Sequence, residues 1–444
     1  MNRYEKLDKK SVPYEAIIQG LSHEGRGIAT ICNKTTFIAG ALPDEKVICT
    51  ITKKHRQYQD AEVTEILQAS PQRITPPCEY FGTCGGCSLQ HMDIATQTQF
   101  KQQTLLDQLT RIGHVTPQHI LLPLQATTTG YRRKARIGVK FVIKKEKVFV
   151  GFREKSSRYL TDLKTCAVLH PRVGQHLSDL SELITSLEQY QHIPQIEVAI
   201  GDTDAALVFR HLESLPITDQ EKLIAFGKKY DFHIYLQPNS PAPFAKIWPA
   251  DNHQRLTYTL PDSQLEFLFH PLDFTQINLE VNRLMVKQAV ELLALQPQDQ
   301  VLDLFCGIGN FTLPIARHAQ FVTGVEGSLD MVQRAEQNAA HNNIQNVCFY
   351  AANLEEPLAQ VSWSKTHYNK IILDPPRAGA KTILPIVNQC AAEKLIYISC
   401  NPATLARDAG ELVHQYGYTL SQVGIINMFP HTSHIETMAV FDKR

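Results

Sequence analysis

From about residue 270 to the C-terminus, short apolar runs and helical stretches alternate without a break. VLDLFC leads through a Gly-rich turn into FTLPIARHA, and FVTGVE leads into MVQRAEQNAAHNN. CFYAAN, KIILDPP, KLIYISC and a final MAVFDKR follow, with helical segments between the middle ones. Strands that alternate with helices in this way predict a parallel, doubly wound, Rossmann-like sheet over residues 266–444. The carboxyl ends of such strands form one edge, and ligands bind along it.

The chain has 444 residues, too many for one compact domain. Residues 1–68 alternate Ile/Val/Thr-rich runs with turns and predict a small β-barrel, of which LSHEGRGIA is the most distinctive stretch. Residues 69–265 form a central β-rich domain. It opens on a Pro/Gly/Cys-rich loop (71–92) and a helix over 93–112, and it includes the strands QIEVAI, AALVFR and FHIYLQ. No apolar run approaches the ~20 residues of a membrane span. The N-terminus, MNRYEKLDKKSVPYE, is polar, so a cytoplasmic protein is expected.

Three strand ends carry candidate ligand contacts. Gly307 and Gly309 follow the strand that holds Asp303, and small residues there let a ligand approach the backbone. Glu326 closes the second strand, about 20 residues after the turn, where a carboxylate can hold ribose hydroxyls. Asn353 closes the third, where an amide can pair with an adenine edge. The Gly turn alone does not separate a dinucleotide from S-adenosylmethionine.

Two further strands deliver Asp374, in KIILDPPRAG, and Cys400, in IYISCNP, to the same edge. A thiolate there has a plain use. Its addition to carbon 6 of uracil makes carbon 5 nucleophilic toward a sulfonium methyl. A base must then take the carbon 5 proton. The thiolate is the active form, so a lowered pKa is expected at Cys400. The stretch HTSHIETM offers His431, His434 and Glu436 as the base, and position alone does not choose among them.

In CEYFGTCGGC, Cys78, Cys84 and Cys87 form a candidate metal loop, and Cys166 is the best-placed fourth thiol. Four thiolates suit zinc or an iron–sulfur cluster. Lys+Arg and Asp+Glu are both 44, so global charge says nothing of nucleic acid. Residues 131–158, however, hold eleven Lys/Arg against two Asp/Glu, with Tyr131, Phe141, Phe149, Phe152 and Tyr159 in or beside them. That combination predicts an RNA surface, with Arg132, Arg133 and Lys134 as backbone contacts.

LDLFCGIGNF, DPPRAG, ISCNPATLARD and HTSHIETM resemble, in order and spacing, the signature blocks of the bacterial RNA uracil-5-methyltransferases. The N-terminal domain resembles the TRAM RNA-binding module, and the cysteine loop resembles the family's iron–sulfur motif. Both point to the branch acting on 23S rRNA at a uridine-1939 type site. The resemblance implies Cys400 as nucleophile, Glu436 as base and a [4Fe–4S] cluster on Cys78, Cys84, Cys87 and Cys166. It implies S-adenosylmethionine contacts at Gln276, Phe305, Asn310, Glu326, Asn353 and Asp374.

A monomer acting on naked or partly assembled 23S rRNA is expected, because a flipped base must be reachable. The same chemistry on another 23S uridine or on tRNA is the nearest alternative. An exocyclic-amine methyltransferase would leave Cys400 idle. A cytosine-5 enzyme would carry a cysteine where Arg377 stands. An iron–sulfur RNA-binding or redox-sensing protein would leave the Gly turn, Glu326 and Cys400 all without use.

Overall fold

The computed structural model describes residues 12–239, 244–251, 255–356 and 362–444, so the polar stretch 1–11 lies outside it. The chain divides into two compact units. One comprises residues 1–104, 153–159 and 429–434; the other comprises 105–152, 160–428 and 435–444. Among the described residues no helix is long and apolar enough to cross a membrane.

The first unit opens with the expected small β domain, a single sheet of six strands between Pro13 and Gln68. Alternate residues of these strands, among them Ile31, Ile38, Val47, Cys49 and Ala61, point into one core. The cysteine loop follows and leads into the helix Ile94–Gln108. Asp93 caps that helix, its carboxylate accepting from the Thr96 amide (2.9 Å) and hydroxyl (2.6 Å).

The second unit holds two sheets of six and eight strands and a hairpin, Leu256–Leu260 with Leu265–Phe269. In the six-stranded sheet, Gln195–Ile200, Ala205–His211 and His233–Pro238 are the strands expected from QIEVAI, AALVFR and FHIYLQ. The last two run parallel, joined by the helix Ile217–Tyr230.

In the eight-stranded sheet the spatial order is Val347–Ala351, Phe321–Glu326, Gln300–Leu304, Lys370–Leu373, Lys394–Ser399, Glu436–Lys443, Tyr418–Ile426 and His119–Ile120. The first five run parallel and reverse order between Gln300–Leu304 and Lys370–Leu373, which is the doubly wound arrangement. Lys370–Leu373 is buried along its whole length, as a strand covered on both faces should be.

The expectation of a wholly parallel sheet needs correction at its end. Glu436–Lys443 inserts antiparallel between Lys394–Ser399 and Tyr418–Ile426. The segment 427–435 that joins it to Tyr418–Ile426 contains no helix to cross the sheet, so the chain turns back on itself. This reversal brings the start of the last strand, rather than its end, to the ligand edge.

Candidate active site

The turn after Gln300–Leu304 is held from below. The amides of Phe305 and Cys306 both donate to the Val325 carbonyl, at 2.8 and 3.1 Å. Phe305 (φ +66°), Gly307 (φ +56°) and Gly309 (φ +92°) all lie in the left-handed region. That conformation is strained for phenylalanine and free for glycine. A Cβ at Gly307 would meet nothing within 4 Å, so conformation rather than crowding demands glycine there. Glu326 ties the turn down, accepting from the amides of Gly307 (3.1 Å) and Ser328 (3.0 Å). Its carboxylate keeps lone pairs for a further donor.

The other proposed cofactor contacts differ in how open they are. Gln276 is half-buried in a segment without regular secondary structure. Asn310 is engaged inside the protein: its amide and that of Asn282 exchange two hydrogen bonds (2.9 and 3.0 Å), and its Oδ1 also accepts from the Tyr258 hydroxyl (2.9 Å). Asn353 is exposed and closes a local turn, accepting from the Glu355 amide (3.1 Å) and donating to Glu356 (2.9 Å).

Asp303 was passed over as a contact on sequence, although an acid inside the apolar run VLDLF is a visible anomaly. It is fully buried, its Oδ2 accepting from the Thr312 hydroxyl at 2.5 Å. Its Oδ1 has no partner among the described residues. Burial, with Asp374 and Glu326 nearby, pushes its pKa up to about 8.

The reacting groups meet through strand register. Ser399 pairs with Thr437 in the antiparallel ladder, which sets Cys400 and Glu436 on the next rung. Asp374 ends the adjacent parallel strand, its amide donating to the Leu304 carbonyl at 3.3 Å. Glu436 is 5% exposed, and burial, reinforced by Asp374, raises its pKa to about 8; Arg377 opposes. Burial alone raises Asp374 to about 7.

Cys400 runs against expectation. Burial first, then Glu436 and Asp374, push its thiol up to about 11, with Arg377 pulling the other way. Burial first, and then the excess of carboxyl groups over cations, favour the thiol over the thiolate.

Of the three residues the sequence offers as base, Glu436 is the one that the strand register brings beside Cys400. His431 is buried elsewhere: its amide donates to Gln97 Oε1 (2.9 Å), and its carbonyl accepts from Ser88 and Leu89 (3.0 and 2.9 Å). His434 packs its ring against Phe429.

The basic segment also needs correction. Lys134 turns inward, donating to the carbonyls of Pro271 (2.7 Å) and Asp273, and burial lowers its pKa to about 8. Arg133 donates to the Gly201 carbonyl and lies 3.7 Å from Asp202. Arg132 is half-buried, with Nε on the Lys134 carbonyl at 3.1 Å. The head groups of Arg133 and Lys134 clamp loops rather than face solvent. The exposed cations of the segment are Arg136, Lys140, Lys144, Lys145, Lys147, Arg153 and Arg158, with Glu146 among them. Lys134→Ala is therefore expected to cost about 1–3 kcal/mol of stability, because two buried carbonyls lose their donor. Urea unfolding checks this; an unchanged midpoint with weakened RNA binding would restore the phosphate-contact role.

In the cysteine loop, the Gly86 amide donates to Cys84 Sγ at 3.4 Å. A Cβ on Gly85 would stand 2.9 Å from the Arg153 carbonyl. Cys78, Cys84, Cys87 and Cys166 are all half-buried. Among the described residues no three His, Cys, Asp or Glu are gathered as a ready metal site.

A doubly wound sheet with one antiparallel strand and a glycine turn at its switch point is the architecture of an enzyme that binds a nucleoside-containing cofactor at its strand ends. The profile of the tRNA (Uracil-5-)-methyltransferase family matches residues 209–444, and that of the TRAM domain matches 13–64. The 23S rRNA (uracil(1939)-C(5))-methyltransferase RlmD of Hahella chejuensis is 48% identical, with 99% of each chain covered. The enzyme of the same name from Alcanivorax borkumensis is 47% identical over 97% of each. The chain belongs to the RNA uracil-5-methyltransferase family, in the branch of these 23S rRNA enzymes. The Pyrococcus abyssi tRNA (uracil-54, C5)-methyltransferase, solved with S-adenosyl-L-homocysteine, has the same fold. It superposes with a TM-score of 0.73 at 21% identity, covering 96% of this chain and all of that one.

Proposed function

We propose that the chain methylates carbon 5 of a uracil in 23S rRNA, at the uridine-1939 type site, with S-adenosylmethionine as methyl donor. The observation that supports this reading is the Ser399–Thr437 pairing, one residue from Cys400 and from Glu436, together with the charge of Glu436 and Asp374 felt at the Cys400 thiol. In it, residues 1–68 and 69–265 present the RNA, and 266–444 carry out the chemistry.

The Cys400 thiol gives its proton to solvent, its sulfur adds to carbon 6, and the electrons of the carbon 5–carbon 6 double bond pass toward the carbon 4 carbonyl. Carbon 5 thereby becomes the nucleophile. S-adenosylmethionine supplies a sulfonium methyl to that carbon. Glu436, as carboxylate, then takes the carbon 5 proton; the double bond re-forms and the carbon 6–sulfur bond breaks, freeing Cys400. Glu326, Gln276, Phe305, Asn310, Asn353 and Asp374 line the cofactor site.

The electrostatics favour a cationic cofactor. Asp374 at about 7, and Asp303 and Glu436 at about 8, lie far above ordinary carboxyls. As acids raised in the folded state, they contribute stability that is full below about pH 4 and lost as pH rises through 7–8. Positive charge among the ionised groups relieves that loss. The affinity ratio of S-adenosylmethionine to neutral S-adenosylhomocysteine is thus expected to rise several-fold between about pH 6 and pH 8.5. Calorimetry at both pH values measures it, and a flat ratio counts against this charge assignment.

The cysteine loop suits an iron–sulfur cluster in its donors. Two thiols flank the Gly85–Gly86 turn, whose Gly86 amide already donates to the Cys84 sulfur, and Cys78 lies six residues before Cys84. His91 nearby is 2% exposed, and neither ring nitrogen has a partner among the described residues. Cys78, Cys84 and Cys87, with Cys166 as fourth, would hold a [4Fe–4S] cluster, and it would brace the loop. Anaerobically purified protein is expected to carry about four irons with visible absorbance, lost in Cys84→Ser. Iron-free wild-type protein would remove the cluster from this reading.

The test of function is methyl transfer from labelled S-adenosylmethionine to a 23S rRNA fragment, with the product nucleoside identified by mass spectrometry. 5-Methyluridine at one position is expected. A methylated exocyclic amine, or product on tRNA alone, would overturn the chemistry or the substrate respectively.

A further inference from the structure

The turn after Asp374 is stitched to the helix after Cys400. That helix, Pro402–His414, is capped by Asn401, whose Oδ1 accepts from the Ala403 amide at 3.1 Å. The same Asn401 donates through Nδ2 to the Arg377 carbonyl (3.1 Å), and the Thr404 hydroxyl reaches that carbonyl at 3.3 Å. One turn further on, Arg407 donates to the Ala378 carbonyl at 2.9 Å. Asp408 is fully buried and takes the remaining donors. Its Oδ2 accepts from the Ala380 amide (2.7 Å) and the Tyr397 hydroxyl (2.7 Å), and its Oδ1 accepts from Arg407 Nε (2.8 Å). Gly379, at φ +82°, leaves no room for a side chain: a Cβ there would stand 2.6 Å from both Arg407 Nη2 and Asp408 Oδ2.

We propose that Asp408, with Arg407 and Tyr397, is a positioning residue for the reaction: it fixes the Pro376–Ala380 turn against the Cys400 strand end, so that Arg377 faces the reacting thiol. This rests on the function proposed above. A buried carboxylate that unites a loop amide, a strand hydroxyl and a helix guanidinium sets three elements in one register. Two of them, the Lys394–Ser399 strand and the Pro402–His414 helix, flank Cys400 directly. The charged groups acting on the thiol are Glu436 and Asp374, which disfavour the thiolate, and Arg377, which favours it. A turn that drifts from the helix takes that cation with it and leaves the two carboxyls behind.

The test uses the full chain as Asp408→Asn, Gly379→Ala and Tyr397→Phe variants. Asn keeps an acceptor but loses the charge that holds Arg407. Ala at 379 crowds Arg407 and Asp408 and strains a left-handed backbone position, and so disturbs the turn from its own side. Phe removes one donor and should have the smallest effect. The first readout is alkylation of Cys400 by iodoacetamide across pH, followed by mass spectrometry, which needs no methyl transfer. The second is kcat against cofactor KM.

In Asp408→Asn and Gly379→Ala, alkylation at a fixed pH is expected to fall about tenfold, as a one-unit rise in thiol pKa requires. kcat is expected to fall up to about 100-fold, the scale of a misplaced reacting group, with cofactor KM unchanged. Wild-type alkylation in the folded variants, or parallel loss of kcat and cofactor affinity, overturns the proposal. If Asp408→Asn does not fold, Gly379→Ala gives the same decision. Slower alkylation in a protein that transfers no methyl to any RNA would uphold the positioning role and remove the function it was meant to serve.

Discussion

Glu436→Gln is expected to methylate once and then stall. Cys400 still adds to carbon 6 and carbon 5 still takes the methyl, but an amide cannot accept the carbon 5 proton. A denaturation-resistant, methylated protein–RNA adduct should accumulate, and turnover should fall by about 10²–10⁴-fold, the usual contribution of a positioned base. The fold should not suffer. Glu436 is buried with its pKa raised to about 8, so ionising it costs stability as pH rises through that value. Gln removes that cost. The variant should melt at or above the wild-type temperature near pH 8.5 and match it near pH 5. Gel mobility of labelled RNA under denaturing conditions reads the adduct. Normal turnover in Glu436→Gln would move the base role to another group.

Cys400→Ala is expected to have the larger effect on rate. Without the sulfur, carbon 5 of uracil is too weak a nucleophile to take the methyl, and removal of a covalent nucleophile commonly costs about 10⁶-fold. Cofactor affinity should stay near wild type, because Glu326 and the glycine turn are untouched. The substitution also removes a thiol that burial and two carboxyls already hold at about 11. Labelled methyl appearing in RNA at more than a trace from this variant would exclude the thiol mechanism.

The parallel part of the fold was legible because each strand is a short apolar run ending in a chemically odd residue. Glu326, Asp374 and Cys400 all stand at such ends. The antiparallel last strand was not legible, because direction depends on the connection rather than on the strand's own pattern. Yet that reversal brings Glu436, next to the Ser399–Thr437 pair, to the Cys400 end of the neighbouring strand. The inward turn of Lys134 was hidden for a related reason. Its partners are carbonyls of Pro271 and Asp273, more than a hundred residues away, and a backbone acceptor leaves no mark in a sequence. The raised thiol pKa was equally invisible. It is set by burial and by the balance at Cys400 of Asp374 and Arg377 from one stretch and Glu436 from another, which a linear reading does not bring together. Asp303 is the opposite case: an acid in an apolar strand was in plain view.

The central claim is a covalent bond between Cys400 and carbon 6 of a 23S rRNA uracil. Anaerobically purified protein, S-adenosylmethionine and a 5-fluorouridine-substituted 23S rRNA fragment test it in one tube, because fluorine at carbon 5 cannot leave as a proton and the intermediate is held. A denaturation-resistant adduct that forms with the wild type, vanishes in Cys400→Ala and maps to a single uridine is the expected result. No adduct on any RNA, from protein that still binds S-adenosylmethionine, would contradict it.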